Sequence, residues 1–232
     1  MGSIDNNLQE VKRRIQQACL AAGRSAQSVS LLAVSKTFGP DAVRAAHAAG
    51  QCQFGENYVQ EALDKMAALA GLRRHIQWHF IGPLQSNKTR AVAEHFDWVH
   101  SVDRLKIAQR LAEQRPPHLP ALQICLQVNI SGESSKAGVA VGDVLALAEA
   151  VAALPRERIE LRGLMAIPEP AEDLATQRVP HRALFELQSA LVKRGIKLDT
   201  LSMGMSADLE AAVLEGATLV RVGSAIFGQR QI

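Results

Sequence analysis

The stretch Leu122-Gln123-Ile124-Cys125-Leu126-Gln127-Val128-Asn129-Ile130 is the best guide to the fold of this chain. Its aliphatic residues alternate with polar or small ones, and a period of two is the pattern of a β-strand. A strand that is buried on both faces of a parallel sheet normally reads apolar throughout. Here one face is aliphatic and suits packing against helices, while the other is polar and suits a partly wet barrel lumen. The stretch therefore favours a barrel strand.

Seven further short apolar segments occur along the chain, and most are followed by a helical pattern. The eight strand candidates are 30–35, 51–55, 77–81, 98–102, 122–130, 160–166, 199–202 and 218–222. Strands that alternate with helices pair in parallel through right-handed crossovers, so the pattern predicts an α/β fold. Eight such units in 232 residues favour one closed (β/α)8 TIM-type barrel over residues 1–232, with an open doubly wound sheet as the alternative.

An amphipathic helix precedes the first strand candidate and is extra to the eight units. Its apolar stripe consists of Leu8, Val11, Ile15, Ala18 and Ala22. Because little chain follows the eighth strand candidate, we expect this leading helix to take the last place in the outer ring. A later helix is predicted to begin at Pro180 and to end at Gly195, since proline favours a first turn and glycine a C-terminal cap.

Composition is that of an ordinary globular protein, with 47% hydrophobic and 21% charged residues. The net charge of +3 is spread along the chain without a basic stripe, so nucleic-acid binding is not expected. Three distant cysteines indicate a reducing compartment, not disulfides or a zinc site. No apolar run approaches the roughly 18 residues of a membrane span, and the start lacks a signal-peptide profile. We expect a cytoplasmic protein and favour a monomer.

Lys36 ends the apolar run 29–35, at the carboxyl end of the first strand candidate. Barrel enzymes carry their chemistry at this end of the strands. A deprotonated lysine amine forms an imine with an aldehyde, and partial desolvation at a barrel mouth favours the neutral amine. A lysine that merely ends a strand and points into water is the alternative.

Two segments near the end of the chain have the composition of phosphate-binding turns. Ser206 closes the stretch 202–206 and precedes a helical pattern, so it either caps that helix or helps its N-terminus bind an anion. Gly223 and Ser224 follow the eighth strand candidate, where glycine permits close approach and serine donates hydrogen bonds. Phosphate sites in barrels often use the loops after strands seven and eight. With Lys36, these turns predict a phosphorylated aldehyde, for which pyridoxal 5'-phosphate (PLP) is the obvious candidate.

Arg221 lies two residues before Gly223 and therefore on the same strand face. A buried arginine needs an acceptor, either a carboxylate of a neighbouring strand or the pyridine nitrogen of the ligand. Guanidinium only donates hydrogen bonds, so a ring nitrogen beside it would stay unprotonated and the ring would be a poor electron sink.

Three further polar residues are candidates with more than one interpretation. Asn57 follows the second strand candidate and either contacts a ring substituent or caps a helix. His79 is interpreted as an interior histidine with satisfied hydrogen bonds, with a catalytic histidine as the alternative. Lys136 lies in a glycine- and serine-rich loop after strand five, and as a hypothesis its mobile amine takes the aldehyde from Lys36.

Six motifs together resemble the signature segments of the pyridoxal phosphate homeostasis protein family. They are AVSKT at 33–37, FGENY at 54–58, WHFIGPLQSNK at 78–88, GLM at 163–165, SMGMS at 202–206 and RVGSAIFG at 221–228. They occur in the right order over essentially the whole chain. The resemblance implies a single barrel like the N-terminal domain of alanine racemase, with PLP held as an imine on Lys36.

The resemblance also implies roles for the other candidates. The implied phosphate contacts come from Ser206, Gly223 and Ser224, with Arg221 at the ring nitrogen and Asn57 near the ring. Family members bind and buffer PLP, affect vitamin B6 and amino-acid balance, and have no established catalytic reaction. PLP-dependent apo-enzymes are candidate recipients of the cofactor. One departure is Phe38, which stands where a second lysine is common in the family.

Two enzymatic functions would use the same lysine. A racemase needs two opposed proton donors, commonly a lysine and a tyrosine from a second domain, but Tyr58 is the one tyrosine here and no residues remain for such a domain. A Schiff-base aldolase for sugar phosphates more usually carries its lysine on a late strand. We therefore predict a PLP-binding protein that stores or hands on the cofactor without turnover, with the racemase as the main alternative.

Overall fold

Nine strands are present in the computed structural model, which describes residues 3–133 and 137–229. They are β1 (Ser30–Val34), β2 (Gln53–Glu56), β3 (Gln77–Phe80), β4 (Trp98–Val102), β5 (Leu122–Asn129), β6 (Val139–Ala140), β7 (Ile159–Met165), β8 (Thr200–Ser202) and β9 (Leu219–Val222). All but β6 follow one another around the sheet in the order β4-β3-β2-β1-β9-β8-β7-β5, and β5 pairs again with β4. The sheet is therefore closed, which confirms the barrel and excludes the open alternative.

Every pairing in this sheet is parallel, as the alternation of strands and helices predicts. On β5, the aliphatic residues are buried and most of the polar ones are only half-buried. That is the predicted division between an outer face on helices and an inner face in the lumen. The two-residue β6 extends the end of β5 and was not predicted, because two residues are too few to show a period.

The helices in the described part of the chain pack around the barrel. They are α1 (Ile4–Ala21), α2 (Pro40–Ala48), α3 (Val59–Ala68), α4 (Thr89–His95), α5 (Leu105–Gln114), α6 (Val144–Ala152), α7 (Leu174–Lys193), α8 (Leu209–Leu214) and α9 (Ser224–Phe227). Buried Leu8, Val11 and Ile15 fix the inner face of α1, which lies against α8, α9 and α2. The leading helix thus stands beside the last strand–helix unit, as predicted.

The start of α7 corrects one prediction. The helix begins at Leu174 instead of Pro180, because the side chain of Asp173 accepts a hydrogen bond from the N–H of Thr176 and caps it there. Pro180 lies inside the helix, where it lacks the N–H that would bond to the carbonyl of Thr176. The predicted end is correct, since the backbone turns left-handed at Gly195, with φ +89°.

None of the helices in the ranges 3–133 and 137–229 combines the length and apolar character that crossing a membrane requires.

Candidate cofactor site

A cavity of about 330 Å³ opens at the carboxyl ends of the strands. It is lined by the six residues for which the resemblance implies contacts with PLP, namely Lys36, Asn57, Ser206, Arg221, Gly223 and Ser224. Apolar side chains complete the wall, among them Phe38, Ile81 and Ile167. The barrel closes by pairing β1 with β9, so the early lysine and the late turns become neighbours although nearly the whole chain separates them.

Lys36 lies two residues beyond the end of β1 and is half-buried at the edge of the cavity. The strand pairing continues one residue beyond β1, because the N–H of Ser35 donates to the carbonyl of Gly55 at 3.0 Å. The next residue, Thr37, has a left-handed backbone with φ +69°. Lys36 is therefore part of the cavity wall, and the alternative of a lysine pointing away into water does not describe it.

Asn57 follows β2, and its Oδ1 is buried without a hydrogen-bond partner in the described residues. The interpretation of Asn57 as a helix cap is wrong, since α3 is preceded by Tyr58 and has no side-chain cap. Buried polar atoms in proteins are almost always hydrogen-bonded. An acceptor of this kind in the wall of the cavity suits a ligand that donates a hydrogen bond there.

Ser206 lies in a tight turn between β8 and α8. The N–H of Met205 donates to Oδ1 of Asp208 at 2.7 Å, and Oδ2 of the same carboxylate is 2.9 Å from Nε2 of His181. Although burial alone would raise it, these hydrogen bonds hold the pKa of Asp208 below its usual value. Because α8 begins only at Leu209 after Asp208, the interpretation of Ser206 as a helix cap is wrong.

The two predicted turns meet across the cavity. The hydroxyl of Ser224 donates to the hydroxyl oxygen of Ser206 at 3.4 Å, so both oxygens lie within reach of one small anion. Gly204 gives the first turn its left-handed φ of +94°, and a Cβ there would lie 2.5 Å from Cβ of Ala212. A Cβ on Gly223 would lie 3.1 Å from the carbonyl oxygen of Val34. Glycine at both positions keeps the turns close to the barrel wall.

The leading helix α1 supports both turns, which the sequence analysis did not predict. A guanidinium nitrogen of Arg14, Nη2, donates to the carbonyl of Ser206 at 3.1 Å, while the same side chain forms two hydrogen bonds with Glu210. The side-chain amide of Asn7 donates to the carbonyl of Ile226 at 2.9 Å. The helix thus ties the loop after β8 to α9, which follows β9.

Arg221 is buried on β9, and its acceptors are neutral. Its Nη1 donates to the carbonyl and the hydroxyl oxygen of Ser202 at 2.6 and 2.8 Å, and Nη2 donates to the carbonyl of Ala166 at 2.9 Å. In the described ranges no carboxylate pairs with it, so the predicted carboxylate alternative is wrong. Burial lowers the pKa of Arg221 to about 10, which leaves the guanidinium charged at neutral pH.

A chain of buried hydrogen bonds extends from Arg221 through the lumen. The hydroxyl of Ser202 lies 2.7 Å from Nδ1 of His100, Nε2 of His100 lies 2.9 Å from Nδ1 of His79, and Nε2 of His79 lies 3.3 Å from the side-chain oxygen of Gln77. Because β4 and β8 are not neighbours in the barrel, the bond between His100 and Ser202 crosses its interior. His79 is thus a satisfied interior histidine, as predicted.

Burial keeps both histidines neutral. It lowers the pKa of His79 to about 3 and that of His100 well below its usual value. With neutral rings, one arrangement of the protons satisfies every contact. Arg221 donates to the hydroxyl of Ser202, and that hydroxyl donates to Nδ1 of His100. Nε2 of His100 then donates to Nδ1 of His79, and Nε2 of His79 donates to Gln77. All the donors point away from Arg221.

Lys136, the remaining candidate, lies outside the described residues.

Together, the fold and the site define a class of protein, the closed barrels with the architecture of the alanine racemase N-terminal domain. Residues 2–231 match the sequence model of the family described as "Alanine racemase, N-terminal domain". Alanine racemase from Corynebacterium glutamicum has the same fold, with a TM-score of 0.70 at 17% identity. That match covers 99% of this chain and 61% of the enzyme.

Two closer relatives narrow the class. A protein of Pseudomonas aeruginosa named pyridoxal phosphate homeostasis protein is 61% identical over 230 residues, which cover 99% of this chain and 97% of the relative. PipY of Synechococcus elongatus, solved with PLP bound, is 36% identical with a TM-score of 0.84, over 97% of this chain and 100% of PipY. This chain belongs to the family of pyridoxal phosphate homeostasis proteins, which confirms the resemblance seen in the sequence motifs.

Proposed function

We propose that this protein binds PLP at the barrel mouth and takes part in the intracellular homeostasis of the cofactor, by buffering or delivering it. The observation that carries the proposal is that a lysine, an arginine and two serine-containing turns line one and the same cavity. Those groups match the aldehyde, the ring nitrogen and the phosphate of PLP in chemical type. The PLP-bound structure of PipY, at 36% identity over nearly the full chain, supports the same ligand.

The residues present fit PLP in three respects. The buried Oδ1 of Asn57 lacks a donor in the described residues, and the hydroxyl group on the PLP ring is one. The hydroxyls of Ser206 and Ser224 lie close enough to bind one phosphate, and Gly223 leaves room beside them. Arg221 is a permanent donor that suits an unprotonated ring nitrogen.

We propose that Lys36 holds the cofactor covalently. Its neutral amine condenses with the aldehyde, so that a C=N bond forms and one water molecule leaves. Bound PLP supplies an electrophilic carbon and an electron-withdrawing ring, but beside Arg221 the ring nitrogen stays unprotonated and withdraws electrons weakly. This arrangement favours binding over turnover.

We propose further that the protein has no catalytic reaction of its own. A racemase needs a second proton donor opposite the lysine, and Tyr58 is exposed and is not among the residues that line the cavity. The buried histidines nearest Arg221 are neutral and their donors point away from it. The proposal includes the whole chain as one cytoplasmic domain that acts as a monomer, with PLP-dependent apo-enzymes as recipients.

Absorbance spectroscopy of the purified protein tests the covalent part of this proposal. With added PLP, the wild type should show a visible band that borohydride abolishes, and Lys36→Ala should show none. Lys106→Ala removes an exposed lysine on α5 and should behave as the wild type. A wild type that takes up no PLP, or a band that persists in Lys36→Ala, would contradict the proposal.

Two further assays test delivery and the racemase alternative. Loaded protein mixed with a PLP-dependent apo-enzyme should activate it, and a trap for free aldehyde separates direct transfer from release. In deuterated water, the wild type should exchange the α-hydrogen of amino acids no faster than Lys36→Ala does. Exchange that depends on Lys36 would replace the non-catalytic proposal with a racemase-like one.

A further inference from the structure

A buried ionic cluster lies behind the loop that carries Lys36. Its centre is Lys65 on α3, which is 3% exposed. The ammonium of Lys65 donates to the carbonyl of Ser35 at 2.8 Å, to Oε1 of Glu56 at 2.5 Å and to Oε1 of Glu61 at 3.2 Å. An ammonium has three donors, so these three acceptors satisfy it fully.

The same cluster binds the residue on each side of Lys36. Upstream, the hydroxyl of Ser35 donates to Oε1 of Glu56 at 2.6 Å. Downstream, the backbone N–H of Thr37 donates to Oε1 of Glu61 at 2.6 Å. Lys36 is therefore presented from a segment that is held at both ends by side chains from β2 and α3.

The backbone between these two attachments is strained. Thr37 has φ +69°, and among the described residues it is the one non-glycine residue with a positive φ. A β-branched side chain disfavours this region, and such strain persists only where the surroundings impose it. Two hydrogen bonds hold this conformation: the N–H of Thr37 donates to Glu61 at 2.6 Å, and the N–H of Phe38 donates to the carbonyl of Ser35 at 3.1 Å. The first of them comes from the cluster.

General stability is a poor explanation for the cluster. Burial raises the pKa of the Glu56 carboxyl against the opposing effect of Lys65, and Oε2 of Glu56 has no hydrogen-bond partner in the described residues. Buried ion pairs often contribute no more to folding than apolar residues of similar size would. Stability alone therefore does not account for the cluster, and its contacts with Ser35 and Thr37 favour a role in geometry.

We propose that Glu56, Glu61 and Lys65 are positioning residues for Lys36, which fix the strained backbone at Thr37 and so aim the amine into the cavity. The inference rests on the proposed function, because it assigns a purpose to the direction of the Lys36 side chain. Without the cluster, Thr37 relaxes to an ordinary backbone conformation, and the Lys36 amine no longer points toward the aldehyde of PLP. The turns at Ser206 and Ser224 make no hydrogen bond to the cluster in the described residues, so phosphate binding is unaffected.

Two ligands that differ only at the reacting carbon test this proposal. PLP reacts with the lysine, whereas pyridoxamine 5'-phosphate has the same ring and phosphate but no aldehyde. Lys65→Met should weaken binding of PLP by about tenfold or more, a loss of about 1.4 kcal/mol. It should also reduce the borohydride-sensitive band, while the affinity for pyridoxamine 5'-phosphate stays within about twofold of the wild type.

Glu61 provides a matched pair of variants. Glu61→Gln keeps an oxygen that accepts from the N–H of Thr37 and should bind PLP within about threefold of the wild type, whereas Glu61→Leu should lose about tenfold. Because Glu61 is partly exposed, this pair remains informative if Lys65→Met does not fold, as thermal unfolding will show.

The outcomes separate the two proposals. Equal weakening of both ligands would assign the cluster a merely structural role, and unchanged binding of both would overturn the positioning proposal. If Glu61→Gln and Glu61→Leu lose PLP equally, the contact with Thr37 is not what matters, and the proposal fails. A wild type that forms no borohydride-sensitive band with PLP would instead refute the proposed function itself.

Discussion

On the β1–β2 side of the cavity, Lys36 is presented by a segment that an ionic cluster holds, whereas on the β8–β9 side Arg221 is held by neutral partners. The first side uses an ammonium and two carboxylates around Lys65. The second uses carbonyls, the hydroxyl of Ser202 and two uncharged histidines. Lys65 and Arg221, the cations at the centre of the two sides, are both buried, so they differ in the chemistry of their partners and not in their own exposure to water.

The difference follows from what each side must supply. At Thr37 the backbone is strained, and charge-assisted hydrogen bonds are strong enough to hold it. At Arg221 the side chain must keep its charge and its donors for a ligand. A carboxylate would neutralise the guanidinium, and a charged histidine would repel it, so neutral acceptors are the arrangement that leaves the cation available.

The largest effect that we expect is a dependence of the free energy of unfolding on pH. It tests whether the lumen beside Arg221 is neutral. The pKa values of His79 and His100 lie below 6.5 in the folded state, so between pH 6.5 and those values the unfolded chain binds more protons. Their stabilising contribution is complete above pH 6.5 and is lost as the pH falls. From pH 7 to pH 5, the free energy of unfolding should drop by about 2–4 kcal/mol, as measured by urea denaturation.

Two variants assign this pH dependence to the lumen. His100→Gln should remove about half of the drop, because one of the two buried histidines is gone. His118→Gln removes an exposed histidine and should leave the drop unchanged. A drop of the same size in His100→Gln and in the wild type would mean that the lumen histidines are not the groups that titrate.

The sequence predicted the barrel and the residues around its mouth, because both depend on local patterns. Alternation marks the strands, and the carboxyl ends of parallel strands meet at one face whatever the details of packing. That is why Lys36 and Gly223 could be placed together although 187 positions separate them. Helix boundaries failed where one side chain decided them, as Asp173 does for α7.

Contacts across the lumen or behind a loop could not be predicted. His79 and His100 lie on neighbouring strands but two residues apart in register, because His79 pairs with Trp98, and the bond from His100 to Ser202 depends on the stagger of eight strands. Lys65 follows Glu61 by four residues and so resembles an ordinary exposed ion pair. It is buried where its ammonium donates to the carbonyl of Ser35 and to Glu56 on β2, contacts that no local pattern reports.

An intermediate effect is expected at the anion-binding turns. Ser206→Ala and Ser224→Ala each remove one hydroxyl that would donate to the phosphate, and a hydrogen bond to a charged group contributes about 1.5–3 kcal/mol. Each variant should therefore weaken PLP by about tenfold or more. The double variant should lose less than the product of the two, because the hydroxyls are only 3.4 Å apart and share one ligand.

The two serine variants also sharpen the contrast with the β1–β2 side of the cavity, which carries Lys36. Pyridoxamine 5'-phosphate should lose affinity in parallel with PLP, because both carry the phosphate. Ser25→Ala, which removes an exposed serine far from the cavity, serves as the control and should bind both ligands as the wild type does. If the serine variants weakened the binding of PLP but not of pyridoxamine 5'-phosphate, the serines would act on Lys36 and not on the phosphate.

The smallest effect is expected at Phe38, where the two sides of the cavity touch. Its ring lies 5.2 Å from that of Phe227, a contact that contributes about 0.5–1.5 kcal/mol. Phe38→Leu should lower the free energy of unfolding by about that amount, and PLP affinity should change by less than about threefold. Chemical denaturation and a PLP titration measure the two effects.

Phe38→Lys extends the test, because it restores an amine common at this position in the family. Borohydride reduction followed by peptide mass spectrometry should still find the label on Lys36. The ionic cluster binds Ser35 and Thr37, the neighbours of Lys36, but forms no described hydrogen bond to residue 38. The combined variant Lys36→Ala/Phe38→Lys should therefore gain little visible absorbance. If the label moved to position 38, an amine near the mouth would be sufficient, and the ionic cluster would not determine which lysine reacts.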